Sequence, residues 1–235
     1  VWLENVKAAE EALSLQLMAK NNLQALELSW SEGAERFVDD KVLLEKLVPP
    51  KSLSNLVITG YNGVSLPTWV GQQSSVTLTC MEHLEELSAS YSSGMSIAYS
   101  VLSINNCPKL RMGPLLPREV GNLEIRGSDN VLSSWGECTT SSTGASSSST
   151  SSSSALTTTT TLILRYSELP MQQWRLLRHL SVLDHLEITT CPDLTVSPDI
   201  IPHLSSVTRL VISACDISSL PHWLMDLTSL EHLGI

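Results

Sequence analysis

A pattern of the form L-x-x-L-x-L recurs along the chain and constrains its fold more than any other feature. The middle leucines of its last four copies are residues 162, 186, 210 and 233, which lie 24, 24 and 23 residues apart. Periods of about 20–29 residues are typical of leucine-rich repeats. The eight copies are Leu23-Leu26-Leu28, Leu53-Leu56-Ile58, Tyr99-Leu102-Ile104, Val120-Leu123-Ile125, Thr159-Leu162-Leu164, Leu183-Leu186-Ile188, Val207-Leu210-Ile212 and Leu230-Leu233-Ile235.

Each copy predicts a short β-strand, because side chains alternate between two faces and both residues of L-x-L then point the same way. One unit cannot bury its own leucines, whereas stacked units bury a continuous ladder of them. The sequence therefore predicts an α/β fold. It is a leucine-rich repeat solenoid with short parallel strands on the concave face, an irregular or helical convex side, and an N-terminal helix.

The predicted domain boundaries lie at the segments that interrupt the repeat. Leu3 to Lys20 has helical spacing of apolar residues, and a second helix is expected from about Asp39 to Leu47, before Pro49-Pro50. In residues 139–161, 19 of 23 residues are Ser or Thr, which predicts a disordered insertion because little can be buried. The expected organisation is an N-terminal helix (1–22), irregular repeats (23–138), the insertion (139–161) and regular repeats cut short at the C-terminus (162–235).

Two sets of buried residues are also predicted. Cys107, Cys191 and Cys215 follow strands at the Asn/Cys position of the repeat, where packing is favoured over a redox or metal role.

Between residues 70 and 98 the register of the repeats stays open, because Val76-Leu78 and Leu84-Leu87 each fit a strand or a convex turn. The tryptophans that follow Leu-Pro are expected to pack beneath convex turns: Trp69, Trp174 and Trp223.

Charge and motif content exclude several classes of function. The net charge is −10, with 14 Lys+Arg against 24 Asp+Glu, so a nucleic-acid partner is not expected. The sequence has no run of about 18 or more apolar residues, so no membrane span is predicted. The five cysteines form no CxxC pair, which favours a reducing, cytoplasmic setting and argues against a zinc site. Without a P-loop, a G-x-S-x-G or an H-E-x-x-H motif, no enzyme, cofactor or metal is expected.

The outward residues beside the strand leucines are the expected functional surface. They lie on one face, and solenoids bind other macromolecules with such a face. Arginines and histidines are better anchor candidates there than the small polar residues. The candidate residues for binding a protein partner are Glu124, Arg126, Arg165, His185, Glu187, Arg209 and His232.

Two segments carry a family resemblance. Leu3-Glu4-Asn5-Val6, with Glu11-Ala12, Lys20, Leu23, Leu26, Leu28 and Trp30, resembles the block that opens the leucine-rich repeats of plant nucleotide-binding, leucine-rich repeat (NLR) immune receptors of the coiled-coil class. Gly60-Tyr61-Asn62-Gly63-Val64-Ser65-Leu66-Pro67-Thr68-Trp69 resembles the G-Y-x-G-x-x-F-P-x-W segment of the same family. Leu66 stands where the family has an aromatic residue.

This resemblance implies a sensor domain for plant innate immunity. Such repeats recognise a pathogen effector directly or through a guarded host protein, and they hold a neighbouring nucleotide-binding domain in its ADP-bound resting state. ADP and ATP would bind that domain, so no cofactor is expected here. Residues 1–60 are expected to face it and the repeats from Leu162 to Ile235 to face the ligand. The chain is expected to be a piece of a longer protein.

Two other readings of the sequence stay open. The repeats could recruit substrates to a ubiquitin ligase, which an F-box before Val1 would decide. An enzyme hidden in an irregular repeat protein would instead require an activity that one substitution at His185 or Arg209 abolishes.

Overall fold

A computed structural model describes residues 2–87, 98–112, 119–135, 158–216 and 219–235. Within these residues, nine strands form one parallel sheet in which each strand pairs with the next along the chain. The predicted solenoid is therefore confirmed. The strands are β1 (Ala25–Ser29), β2 (Asn55–Thr59), β3 (Ser75–Thr79), β4 (Ala98–Asn105), β5 (Glu119–Arg126), β6 (Thr161–Arg165), β7 (His185–Thr189), β8 (Arg209–Ser213) and β9 (His232–Gly234).

The leucines of successive strands stack in register to form the core. Leu162 of β6 pairs with Leu186 of β7, which pairs in turn with Leu210 of β8. All three side chains are fully buried. Along β6 and β7, the residues that alternate with the buried ones are partly exposed. A fully buried leucine contributes about 1.5–3 kcal/mol, so the ladder is the main source of stability.

In successive repeats of the described chain, the residue directly after the strand has a left-handed backbone conformation. Its φ angle lies between 51° and 71°. The N–H of this residue extends the ladder of the sheet, as when Tyr166 donates to Thr189 O at 3.0 Å. The residues in this position are Gly60, Cys80, Asn106, Gly127, Tyr166, Thr190 and Ala214.

The next residue points inward and bonds to neighbouring backbone. The N–H of Cys107 donates to Ser128 Oγ (2.9 Å), and that hydroxyl donates to Arg126 O (3.0 Å). Cys191 Sγ lies 3.6 Å from Thr189 O in the equivalent arrangement. A small side chain that both accepts and donates therefore satisfies backbone groups between repeats. The predicted packing role of these cysteines is confirmed.

The buried thiols are expected to resist alkylation. Burial raises the pKa of the Cys107 thiol to about 12 and the pKa of the Cys191 thiol to about 11. Both then carry almost no thiolate at pH 8, and thiolate is the nucleophile. Iodoacetamide at pH 8 should label the exposed Cys80 in the native protein and reach Cys107 and Cys191 only in urea, as followed by peptide mass spectrometry. Native labelling of Cys107 as fast as Cys80 would contradict this.

Short helices and 3₁₀ turns connect the strands. In the described ranges, none is long and apolar enough to cross a membrane. The helix Asp40–Lys46 agrees with the predicted second helix, and the Asp39 carboxylate caps it by accepting a bond from Val42 N at 3.0 Å. The helices are α1 (Ala9–Ser14), α2 (Asp40–Lys46), α3 (Asp129–Ser134) and α4 (Ile201–Leu204); the 3₁₀ turns are Leu17–Ala19, Val70–Gln72, Met171–Gln173, Arg175–His179 and His222–Asp226.

The N-terminal helix is shorter than the predicted span of Leu3 to Lys20. Trp2 forms a bridge with Ser29, and Leu3 N donates to Ser29 O at 2.8 Å, which holds the chain extended beside β1. At the other end, Gln16 is left-handed (φ 45°) and separates α1 from the following 3₁₀ turn. Pairing with the sheet overrides local helix propensity here.

The register between residues 70 and 98 is settled for the described part. Val76 and Leu78 lie in β3, whereas Leu84 is buried in the turn that follows. In that turn Glu86 forms single bridges with Ser65 and Arg111 of the neighbouring repeats.

The predicted insertion (139–161) extends too far. Thr158 forms a bridge with Glu119, Thr159 is fully buried and Thr161 begins β6, so residues 158–161 belong to the fold. Threonine is β-branched and fits a strand, which the Ser/Thr composition concealed. Residues 139–157, and Cys138 before them, lie outside the described residues, so the predicted disorder of 139–157 stays a prediction.

The tryptophans after Leu-Pro are buried as predicted, and each indole N–H donates to a backbone carbonyl. Trp69 Nε1 donates to Leu44 O at 3.2 Å, Trp174 Nε1 to Leu169 O at 3.1 Å, and Trp223 Nε1 to Leu194 O at 2.7 Å. Two of these bonds join residues 25 and 29 positions apart, so Trp69 and Trp223 tie one convex turn to the preceding repeat.

Candidate interaction surface on the strands

The structure brings all seven candidate residues onto the outward face of β5–β9, here called the strand face. The parallel register sorts them into three rows that cross the strands. This follows from alternation along each strand combined with in-register pairing between strands. The first row contains His185, Arg209 and His232, the middle row Glu124 and Glu187 on either side of Ile163, and the last row Arg126 and Arg165.

A closed cluster of charges, here called the Arg165 cluster, occupies the middle of this face. Arg165 Nη1 lies 3.2 Å from Glu124 Oε1, and its Nη2 lies 2.9 Å from Glu187 Oε1. Ser103 Oγ donates to the other oxygen of Glu124 at 3.4 Å, and Asn105 Nδ2 donates to Ser103 Oγ at 3.1 Å. The cluster therefore links β4 to β7 through side chains.

Arg165 compensates part of the negative charge in the Arg165 cluster. The hydrogen bond with Glu187 raises the pKa of Arg165, with smaller contributions from the charges of Glu187 and Glu124. One guanidinium thus serves two carboxylates that would otherwise repel each other across Ile163. These three residues order the face, and their charges are largely used within it.

Arg126 stacks on an aromatic ring that sequence reasoning missed. Its guanidinium carbon lies 4.7 Å from the centroid of the Tyr166 ring, which is cation–π geometry. Tyr166 is half exposed and occupies the left-handed position after β6. No periodicity singles it out, because the contact depends on the register between β5 and β6. The only available signal was the pair Arg165-Tyr166 at a strand end.

The first row, here called the His–Arg–His row, differs from the Arg165 cluster. Arg209 and His232 are exposed, and within the described ranges Arg209 makes no ion pair. His185 is half-buried, and its Nε2 atom is buried with no hydrogen-bond partner among the described atoms. The guanidinium of Arg209 is therefore left without an acidic partner in the described part of this row.

A metal role has no geometric support in the described part of the chain. No group of three or more His, Cys, Asp or Glu side chains there is arranged to hold an ion. The histidines of the strand face are separated by Arg209, which would repel a cation.

The two segments that carry the family resemblance contact each other. The rings of Trp30 and Tyr61 lie 5.8 Å apart at 61°, an edge-to-face arrangement, and Tyr61 Oη donates to Ser65 O at 2.7 Å. At the N-terminus, Ser31 Oγ donates to the Glu4 carboxylate at 2.7 Å, and this bond lowers the pKa of Glu4. These residues form one packed unit around the first two strands.

Comparison with known proteins gives a match over a range that includes both of these segments. Residues 2–114 match the family model described as R13L1/DRL21 LRRs, that is, leucine-rich repeats. The comparison with solved structures found no significant match.

Curated relatives are plant disease resistance proteins. The chain is 41% identical over 71 residues to the putative disease resistance protein RGA1 of Solanum bulbocastanum, and 39% identical over 70 residues to the disease resistance protein RGA2 of the same species. These alignments cover 30% and 29% of the chain and only 7% of each relative. The predicted resemblance to the leucine-rich repeats of plant resistance proteins is thereby confirmed.

Proposed function

We propose that this chain is the recognition part of a cytoplasmic plant immune receptor, and that its strand face binds a pathogen effector or a guarded host protein. The observation that carries the proposal is the set of charged and histidine side chains aligned in rows across five adjacent strands. Similarity to disease resistance proteins supports the biological setting. In this proposal the chain binds and does not catalyse.

The proposal also assigns the first repeats, residues 1–60, to the resting state. Large apolar side chains are exposed there: Trp2 is 62% exposed, Met18 68% and Phe37 56%. Exposed apolar side chains that join into one patch mark protein–protein contacts. We assign them to the nucleotide-binding domain, where ADP or ATP would bind. A ligand bound to the repeats from Leu162 to Ile235 then shifts the equilibrium between the resting and active states. The size of this shift is set by the difference between its affinities for the two states.

The test uses the full-length receptor that contains this chain. Plants with and without its gene are challenged with a panel of pathogen isolates, and the lost response is complemented with variants. We expect Arg209→Glu, on the strand face, to abolish cell death toward the recognised isolate. Lys51→Glu makes the same charge change in an exposed turn before β2 and should complement fully.

Two results would overturn the proposed function. One is equal complementation by both variants for every isolate that the receptor distinguishes. The other is the absence of any such isolate, combined with accumulation of a host protein when the gene is lost. That second result would favour substrate recruitment to a ubiquitin ligase.

A further inference from the structure

We propose that the His–Arg–His row binds an acidic segment of the protein ligand through its Asp or Glu carboxylates. This inference rests on the proposed function and names the chemistry of the partner. Arg209 is the anchor, because a guanidinium binds a carboxylate with two parallel hydrogen bonds. His185 and His232 flank it, and the exposed His232 can donate a ring N–H.

The spacing of the row suits an extended peptide. His185 pairs in register with Arg209, and Arg209 with His232. Neighbouring strands lie about 4.8 Å apart, so the row spans about 10 Å. Alternate side chains of an extended peptide are about 6.6 Å apart, so carboxylates at positions i and i+2 fit within the row.

In the described part of the chain, the acidic residues of the neighbouring strands form no ion pair with Arg209. Glu187, in the middle row of β7, is held by Arg165 at 2.9 Å. The middle-row positions on β8 and β9 are Val211 and Gly234, which carry no charge. Asp184, before β7, accepts a bond from Thr208 Oγ1 at 2.5 Å, and Glu231 is exposed at the entry to β9.

The contrast with the rest of the chain gives the row its selectivity. The whole chain carries a net charge of −10, so acidic ligands are repelled from most of its surface. Arg126 is stacked on Tyr166, and Arg165 is paired with two glutamates. On the described part of β5–β9, Arg209 is thus the arginine whose charge no acidic or aromatic side chain engages.

The test measures fluorescence anisotropy of a labelled peptide of alternating Glu and Ser, titrated with the 235-residue chain at low ionic strength. A peptide of alternating Lys and Ser is the probe of opposite charge. We expect only the Glu peptide to bind, and Arg209→Glu to weaken it at least about tenfold. Lys51→Glu should change affinity less than about twofold, and His232→Ala should weaken it by several-fold less than Arg209→Glu.

A variant that keeps the charge guards against misfolding. Arg209→Lys retains the positive charge but loses two-pronged contact, so intermediate affinity is expected with an unchanged circular dichroism melting curve. Equal weakening by Lys51→Glu and Arg209→Glu would overturn the inference, because binding would then depend on net charge alone. A phosphoserine peptide that binds when the Glu peptide does not would overturn the choice of carboxylates.

The inference and the proposed function fail separately. If Arg209→Glu abolishes recognition in plants but the Glu peptide does not bind the chain, the acidic-ligand inference is wrong and the proposed function stands. If the peptide binds through Arg209 but complementation is unaffected by Arg209→Glu, the row binds acidic segments and the proposed function is wrong.

Discussion

Replacing Leu123 by alanine is expected to destabilise the fold by about 2–5 kcal/mol. Leu123 lies on β5 in the middle of the sheet and is fully buried. It pairs in register with Leu102 on one side and Leu162 on the other. The cavity therefore removes contacts with both neighbouring repeats, and a solenoid is held together by such nearest-neighbour contacts.

Asn122 provides a matched control on the same strand. It is the preceding residue, its side chain is exposed, and alternation places it on the opposite face from Leu123. Asn122→Ala should change the free energy of unfolding by less than about 0.5 kcal/mol. Urea unfolding followed by circular dichroism measures both variants. Equal losses would mean that the core does not depend on the leucine ladder at β5.

Gly60→Ala is expected to cost about 2–5 kcal/mol, which combines two separate penalties. Gly60 has a φ angle of +71°, where an L-residue with a Cβ costs about 1–2 kcal/mol. The added Cβ would also lie 2.2 Å from the carbonyl oxygen of Trp30. That oxygen belongs to the backbone beside β1 and cannot rotate away, so the first two repeats would have to separate, at about 1–3 kcal/mol more.

Gly33→Ala isolates the first of these penalties. Gly33 is also left-handed, with φ +66°, but nothing lies within 4 Å of the position a Cβ would take. Its substitution should cost about 1–2 kcal/mol. Comparing the two unfolding free energies in urea gives the steric contribution at Gly60. A difference near zero would show that the loop after β2 yields freely, and that Gly60 is needed only for its backbone angle.

The contacts around Gly60 give a physical reason for the motif that carries the family resemblance. The glycine lets the backbone after β2 approach Trp30, and the next residue, Tyr61, packs its ring against the same tryptophan. A Cβ at Gly63 would lie 2.2 Å from Tyr61 Oη, so this glycine makes room for the tyrosine. The motif thus encodes a contact between two repeats, independent of any ligand.

Local periodicity was enough to predict much of this protein. The leucine pattern located the core residues of β1, β2 and β4–β8, because burial on a strand depends only on alternation within a few residues. At β9, the last strand, the pattern residue Leu233 is exposed, as is Ile235 directly after the strand. The bounds of α2 followed from its spacing and from Pro49-Pro50. Alternation likewise placed the seven candidate residues on one face, and their role in binding stays a prediction.

Only the tertiary structure decided which of those residues have charge to spare. Arg165 reaches Glu124, which is 41 positions away in the chain, and Arg126 reaches the ring of Tyr166. The extended path of Trp2 and Leu3, where a helix was expected, depends on Ser29 in the same way. Such contacts depend on the register between strands that are remote in sequence. A pattern that repeats within one strand contains no information about its neighbour's side chains, so folding had to bring them together first.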